Sequence, residues 1–367
     1  MAGNTFSAGG PKAAARSAGA TGNAGNVSER EDLANFISMI SRDETPFMAS
    51  IGSAKAKAIF HEWQTDELAP PVDGATVEGA AYSAVTAAQA AEPFRTRLGN
   101  YCQINSKTVT VTGTKKVVDQ AGVADEYAYQ LKKRGIELKR DQEAGLVNTN
   151  QSSSAASPRK FGGYQAWINY NIVNALGTPA QYTPPVNPGG GVSGTYAAVT
   201  TESPLQLSHV DTLMQLIYEN GGKASKVMLS PANKRAFSAR AQMAGAHAAV
   251  ATVTEGSGGN VRRNIDDNGK LRQSVDIYLS DFGEITVVPN YVMGLNTTII
   301  DAGTQYSANF FGFVYDPMWF AWATLRPLHE IPLGQLGDSI IGQIVEEGTL
   351  QCKNPKGSGL IVGLNGQ

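Results

Sequence analysis

The sequence predicts an α+β fold. Period-two alternation of the strand type marks KTVTVTG (107–113) and stretches near the C-terminal end. A single long apolar periodicity of the helical type covers 115–147, and between these regions short helices and strands take turns over 195–300. Strands gathered near both ends of the chain, around a mixed middle, suit segregated helices and sheets better than a regular βαβ wind.

The first 27 residues hold fourteen Ala or Gly and no acidic residue. They offer too little apolar surface to offset the entropy of ordering, which predicts a flexible arm. Ser28 with Glu31 then forms a capping signature, and Leu33, Phe36, Ile37 and Ile40 recur at helical spacing. Pro46, in RDETPF, stops that helix.

Two strand-like runs follow, KAIFHEWQTDEL (57–68) and FRTRLGNYCQIN (94–105), around a tip rich in Ala, Gly and Pro. They predict a long hairpin over 55–106, each arm reaching roughly 40 Å at about 3.3 Å per residue. A two-stranded hairpin is marginal alone, so this one needs a surface to lie on, either its own domain or a neighbouring subunit.

After KTVTVTG, the residues Val117, Ala121, Ala124, Ala128, Leu131, Gly135 and Leu138 step by four and three and predict one helix over 115–147. Its other face carries Asp125, Glu126, Lys132, Lys133, Glu137, Lys139, Arg140 and Glu143, where interleaved signs favour ion pairing over phosphate contact. Polar or Pro/Gly-rich loops are expected at 148–158 and 177–194. In the body beyond, Ser208 and Asp211 open a helix with Val210, Leu213, Met214 and Ile217 on one face, closed by Gly221 and Gly222. KVML (226–229) reads as a strand, with Ser230 as N-cap and Pro231 leading a helix to Ala244. VDIYL, EITVVP and TTIID read as further strands. The tail strands at 307–315, 318–328 and 338–354 are expected to pair with KTVTVTG and cover the long helix.

Composition narrows the function. Charged residues make up 17% of 367, below the roughly 25% of ordinary soluble domains, and Gly contributes 40. Low charge and small side chains suit a protein largely covered by something else. A net charge of −2 provides no sequence-wide field for nucleic acid or an anionic membrane. Cys102 and Cys352, far apart and without a Cys/His cluster, exclude a disulfide scaffold and a structural zinc site of ordinary spacing. The N-terminal stretch lacks a secretory apolar segment, and no run of 18 apolar residues occurs, so a cytoplasmic origin is expected.

Catalytic signatures are missing. His61–Glu62 is not followed by the second His that a zinc protease helix needs, since Thr65 stands there. Asp281–Phe282–Gly283 spells a kinase triplet without its companions and reads as a tight turn. There is no GxxxxGK and no GxSxG; His209, His247 and His329 are scattered, and Ser157 with Lys160 lacks partner motifs. No catalytic residue, cofactor or metal is predicted.

EDLANFISMISRDETPFMASIG followed by KAIFHEWQTDELAPP, and later KVMLSPANKRAF, resembles the major capsid proteins of tailed phages with the Hong Kong 97-type fold. The likeness implies an N-terminal arm over 1–45 and an extended loop over 46–106. It also implies a peripheral domain over 107–165 and 300–367 with the spine helix at 115–147, and an inserted axial domain over 166–299. It implies a homo-oligomer of hexamers and pentamers, closed into an icosahedral shell around a double-stranded DNA genome. The implied partners are a portal protein at one vertex, packaged DNA in weak non-specific contact, and a possible cement protein; no membrane is involved. Candidates for contact between subunits are Phe47, Phe60, Trp63, Phe94 and Tyr101, because aromatic residues anchor interfaces.

Two departures from the family pattern matter. No lysine occurs between Ala58 and Ser106, which excludes covalent welding through a lysine on the extended loop. The 27-residue Ala/Gly segment is too short and too poor in large apolar groups for a fused scaffold, so a separate scaffolding protein is expected. The alternatives are an encapsulin-like nanocompartment shell, another virion protein such as a tail-tube subunit, and an uncharacterised hydrolase with a dispersed site.

Overall fold

The computed structural model describes residues 42, 44–68, 71, 75, 78–79, 95–118, 122–147, 158–168, 170–174, 179–180, 202–247, 275–294, 300–301, 304–305, 310–334 and 337–366, and every structural statement below concerns these. The predicted arm and first helix, the hairpin tip, Phe94 and the Gly-rich stretch at 253–270 lie outside the described residues, in whole or nearly so. The chain divides into two units, residues 1–40 with 118–124 and residues 41–117 with 125–367. Of the first, residues 118 and 122–124 are described, with Gly122 at φ 85°. The remainder concerns the second.

The chain enters through helix α1 (Pro46–Ser50), strand β1 (Gly52–Lys55) and the pair β2 (Phe60–Thr65) and β3 (Thr96–Tyr101). Strand β4 (Gln103–Thr112), α2 (Gly113–Val117), α3 (Glu126–Val147) and α4 (Tyr164–Trp167) follow. Then come β5 (Ile172–Asn174), β6 (Pro179–Ala180), α5 (Leu207–Glu219), β7 (Lys226–Leu229), α6 (Pro231–His247), β8 (Ile277–Ser280) and β9 (Gly283–Pro289). The small pair β10 (Ile300–Asp301) and β11 (Thr304–Gln305) precedes β12 (Phe311–Tyr315), β13 (Phe320–Leu333), β14 (Ser339–Cys352) and β15 (Gly359–Val362).

One sheet has the order β1-β13-β14-β4, antiparallel except for β1 beside β13. Along β4 every second side chain is exposed, so one face of this strand meets solvent and the other faces α3. Strand β13 shifts register between Thr324 and Arg326 and again between Arg326 and His329; Pro327, which has no N–H to give to the ladder, lies within the second shift.

The second sheet has the order β6-β5-β15-β12-β7-β9-β8. Its central strands are buried on both faces, and alternation divides them between two cores. Phe313, Tyr315, Met228, Leu360 and Val362 join an aromatic core with Phe47, Phe161, Tyr164, Trp167, Phe320 and Trp322. Val314, Val227, Leu229 and Ile361 face the other way, onto Val210, Leu213, Met214 and Ile217 of α5. The apolar face expected for that helix is therefore its buried face.

Three expectations need correction. The helix predicted over 115–147 begins at Glu126: Gly122 takes a left-handed conformation, and Asp125 Oδ1 accepts from the N–H groups of Tyr127 (2.9 Å) and Ala128 (3.4 Å), capping a new start. Ala128 is exposed, and burial concentrates at Leu138, Gln142, Glu143, Leu146 and Val147. The tail strands do not all pair with β4, since β12 and β15, inside the range assigned to the peripheral part, lie in the seven-stranded sheet. FGFVY is apolar on both faces, and the half-solvated four-stranded sheet cannot bury it twice. Finally, the second hairpin arm is two strands. At Cys102, whose N–H donates to Ile59 O at 2.8 Å, the chain leaves β3 for β4 and the larger sheet.

Candidate assembly surface

Strands β2 and β3 pair antiparallel from Phe60–Tyr101 to Thr65–Thr96. Alternation assigns His61, Trp63, Leu98 and Asn100 to one face, and Phe60, Glu62, Arg97, Gly99 and Tyr101 to the other.

The inner face is pinned to the body. Trp63 packs on Trp167 with ring centroids 5.2 Å apart, and Leu98, opposite it in the ladder, shares the aromatic core. Asn100 is fully buried and its amide is satisfied on both sides. Nδ2 donates to Gly162 O (3.1 Å) and Leu350 O (2.8 Å), while Oδ1 accepts from Gly162 N (2.9 Å). Burial pulls the His61 imidazole below its usual range, against a hydrogen bond with Gln351.

The outer face is different. Phe60 lies against Tyr101 at 4.5 Å between centroids, and its ring covers Gly99, where a Cβ would come within 2.5 Å of Phe60 Cζ. Beside it Glu62 pairs with Arg97. Phe60 and Tyr101 are half-buried, and Ile59 next to them is 51% exposed. Along β2 runs a depression of about 660 Å³ lined by Lys55, Lys57, Phe60, Glu62 and Gln64 among others. Toward the tip, Arg95 pairs with Asp66 at 3.3 Å, and Lys356 reaches Glu67 at 2.5 Å while lying over the Tyr170 ring. Leu68, where the continuous stretch of described residues ends, is 97% exposed.

The predicted contact residues therefore separate. Phe47 is 0% exposed, clasped by Tyr164, Tyr315 and Phe320 at centroid distances of 5.7, 5.3 and 5.9 Å. Trp63 is 9% exposed. Neither leaves surface for a second molecule, because the aromatic core of the chain itself claims both. Phe60 and Tyr101 are only half-buried. Phe94 lies outside the described residues.

Sequence reading missed the polar groups that position this region. Glu143, placed on the solvated helix face, is buried and accepts from Phe47 N (2.8 Å), Met48 N (2.9 Å) and Asn290 Nδ2 (2.7 Å). It caps α1, whose first N–H groups, those of Phe47 and Met48, have no acceptor a turn earlier within the helix. DETPF carried the signal, since a proline-led turn demands an acceptor. Glu346 and Glu347, adjacent on β14, tie the sheet to its surroundings: Glu346 takes Lys139 of α3 at 2.7 Å, and Glu347 takes Arg159 (3.1 Å) and Arg326 (2.7 Å). With Arg134 on Glu137 and Arg140 over the Tyr291 ring, much of the basic cluster is engaged inside the chain. Among the described residues no group of His, Cys, Asp and Glu is arranged to hold a metal, and no helix is long and apolar enough to cross a membrane.

A family model described as SU10 major capsid protein matches residues 16–365. The major capsid protein of Escherichia phage Phieco32 is 28% identical over 235 residues; the match takes in 56% of this chain and 64%, just under two thirds, of that relative. Among solved structures, a chain of Mycobacterium phage Ogopogo aligns with a TM-score of 0.53 at 12% identity, over 91% of this chain and 96% of that one. The capsid of a native GTA particle aligns with a TM-score of 0.52 at 11% identity, over 93% and 97%.

Proposed function

The chain belongs to the SU10 major capsid protein family and has the Hong Kong 97-type capsid fold, and on that premise we propose that its copies close into the shell of a phage head through the outer face of the hairpin. The observation that carries this reading is the split between the hairpin's two faces. One is anchored in the core through Trp63 and Asn100, and the other presents a half-buried aromatic pair beside an ion pair. A two-stranded ribbon with an aromatic pair on its outer face gains stability when a second surface covers it. Obligate interfaces bury about 2,000–5,000 Å² or more, and aromatic groups anchor them.

The function is association rather than turnover, consistent with a structural capsid protein family. In this reading residues 1–45 serve as the arm, 55–106 as the loop laid over an adjacent copy, and the seven-stranded body as the part that meets its equivalents in hexamers and pentamers. The shell encloses double-stranded DNA, with a portal at one vertex, and a separate scaffolding protein guides assembly in the host cytoplasm. No lysine lies between Ala58 and Ser106, so cohesion comes from buried area rather than a covalent weld on that loop.

Negative-stain microscopy of the full chain, alone and with a co-expressed scaffolding protein, tests the proposal. Closed shells, or hexamers and pentamers, are expected. Deleting 69–92 is expected to leave a folded body that forms no closed particle. Open tubes, or a protein that stays monomeric under both conditions, would overturn the reading.

A further inference from the structure

We propose that the free edge of β2 is a strand-addition site that takes an extended acidic segment of a second protein. The shell reading above uses the outer face of the ribbon, whereas this inference uses its edge and is tested separately.

Hydrogen-bond parity identifies that edge. Cys102 N donates to Ile59 O at 2.8 Å, in register with the ladder from Phe60–Tyr101 to Thr65–Thr96. In an antiparallel pair, opposed residues that exchange hydrogen bonds alternate with opposed residues that do not. His61, Trp63 and Thr65 therefore turn their N–H and C=O groups toward β3, and Phe60, Glu62 and Gln64 turn theirs away. Among the described residues β2 pairs with β3 alone, and no backbone group meets those three. Such a row of unpaired donors and acceptors is a template for another strand.

The depression of about 660 Å³ follows this edge rather than a face. Phe60, Glu62 and Gln64 line it from the outer face and His61 and Trp63 from the inner one, while β3 contributes Arg97. Side chains from both faces of one strand meet along its edge. The volume falls in the range of ligand clefts, roughly 300–1,000 Å³.

Charge selects the occupant. Lys55 and Lys57 also line the depression, are exposed, and form no ion pair among the described residues. Ala56 between them is buried and donates its N–H to Thr324 O at 3.0 Å, so the two lysines share the solvent side. Their repeat of about 6.6 Å, at about 3.3 Å per residue, matches alternate side chains of an extended peptide. Arg97 is already paired with Glu62, which leaves the lysines for carboxylates two residues apart on the added strand.

The backbone of DNA suits the edge poorly. It accepts hydrogen bonds but donates none, so the carbonyls of Phe60, Glu62 and Gln64 would stay unpaired, and its phosphates would meet the Glu62 carboxylate. A second copy does not supply the segment either. The sequence has acidic residues two positions apart only at Glu29 with Glu31, inside the capping signature of a predicted helix, and at Asp141 with Glu143, inside α3. The occupant is therefore another protein.

Fluorescence anisotropy of a labelled, acetylated peptide of alternating Glu and Val, added to the full chain, tests this. Saturable binding is expected, weakened about tenfold or more by Lys55→Glu with Lys57→Glu and by high salt. Methylating the peptide nitrogens that face the edge should weaken it by a similar factor, because the added strand loses its donors. Gln64→Pro removes an outward N–H, keeps the ladder to β3 and should also weaken binding; if it does not fold, the methylated peptide decides. Hydrogen exchange resolved to single residues should slow at Phe60, Glu62 and Gln64 and stay unchanged at His61, Trp63 and Thr65. No binding, equal binding of the methylated peptide, or slowed exchange at other residues instead would overturn the proposal. So would a duplex DNA oligonucleotide that protects the same three amides, or their protection in assembled particles without peptide, which would give the edge to a second copy.

Discussion

The side-chain amide of Asn100 donates to the carbonyl of Leu350 at 2.8 Å, across 250 positions of sequence. The same amide exchanges two hydrogen bonds with Gly162. One buried residue thus ties the hairpin to β14 and to the loop before α4.

Asn100→Ala should leave these backbone groups buried without partners. Each such group costs about 1–3 kcal/mol, which makes a total loss of about 3 kcal/mol a reasonable expectation in guanidinium unfolding. Asn100→Asp keeps the shape but turns a donor into an acceptor facing two carbonyls, and should cost as much. A wild-type midpoint for the Asp variant would mean that only the volume of Asn100 matters.

Gly99 is required by a close approach rather than by backbone conformation, because a Cβ there would stand 2.5 Å from Phe60 Cζ. Gly99→Ala is expected to cost about 1–3 kcal/mol as overpacking. In a Phe60→Ala background the same change should cost far less, with a coupling of about 0.5–3 kcal/mol in a double-mutant cycle. Equal costs in both backgrounds would show that the ring is not the obstacle.

The aromatic candidates should separate by experiment as they do by burial. Phe47→Ala empties the centre of the aromatic core and should cost about 3–5 kcal/mol in stability. Phe60→Ser with Tyr101→Ser gives up a half-buried aromatic pair, worth about 0.5–1.5 kcal/mol, yet should abolish closed particles. Unfolding curves read the first effect and analytical ultracentrifugation the second. Normal assembly by the double variant would remove the outer face from the interface.

Local elements were legible where a short-range rule governs them. Ser230–Pro231 predicts the start of α6, Val210 to Ile217 the buried face of α5, and Asp281–Phe282–Gly283 the turn between β8 and β9. What escaped depends on partners distant in sequence. Glu143 looked solvated because charge is normally exposed, and the donors that justify burying it lie 95, 96 and 147 positions away. Phe47 looked like an anchor because aromatic residues anchor interfaces, but its companions Tyr315 and Phe320 come from the far end of the chain. The resemblance reached the family through the order of elements; it did not separate the two faces of the hairpin, which required the register of β2 on β3.

The two cysteines should be inert while the protein is folded. Burial, reinforced by the negative charge of Glu347 and opposed by Arg159, pushes the Cys102 thiol up to about 11, and its Sγ is turned toward Ala58 O at 3.5 Å. Burial alone raises Cys352. The thiolate is the nucleophile, so at pH near 8 a group titrating at about 11 is ionised in only about one molecule in a thousand, and the reagent must also reach it. Iodoacetamide is therefore expected to modify neither residue in the native chain and both after unfolding in guanidinium. Peptide mass mapping over time distinguishes the cases, because labelling gated by opening tracks the stability losses of Asn100→Ala and Phe47→Ala. Rapid native labelling of Cys102, insensitive to those variants, would mean that the junction between β3 and β4 is open to solvent.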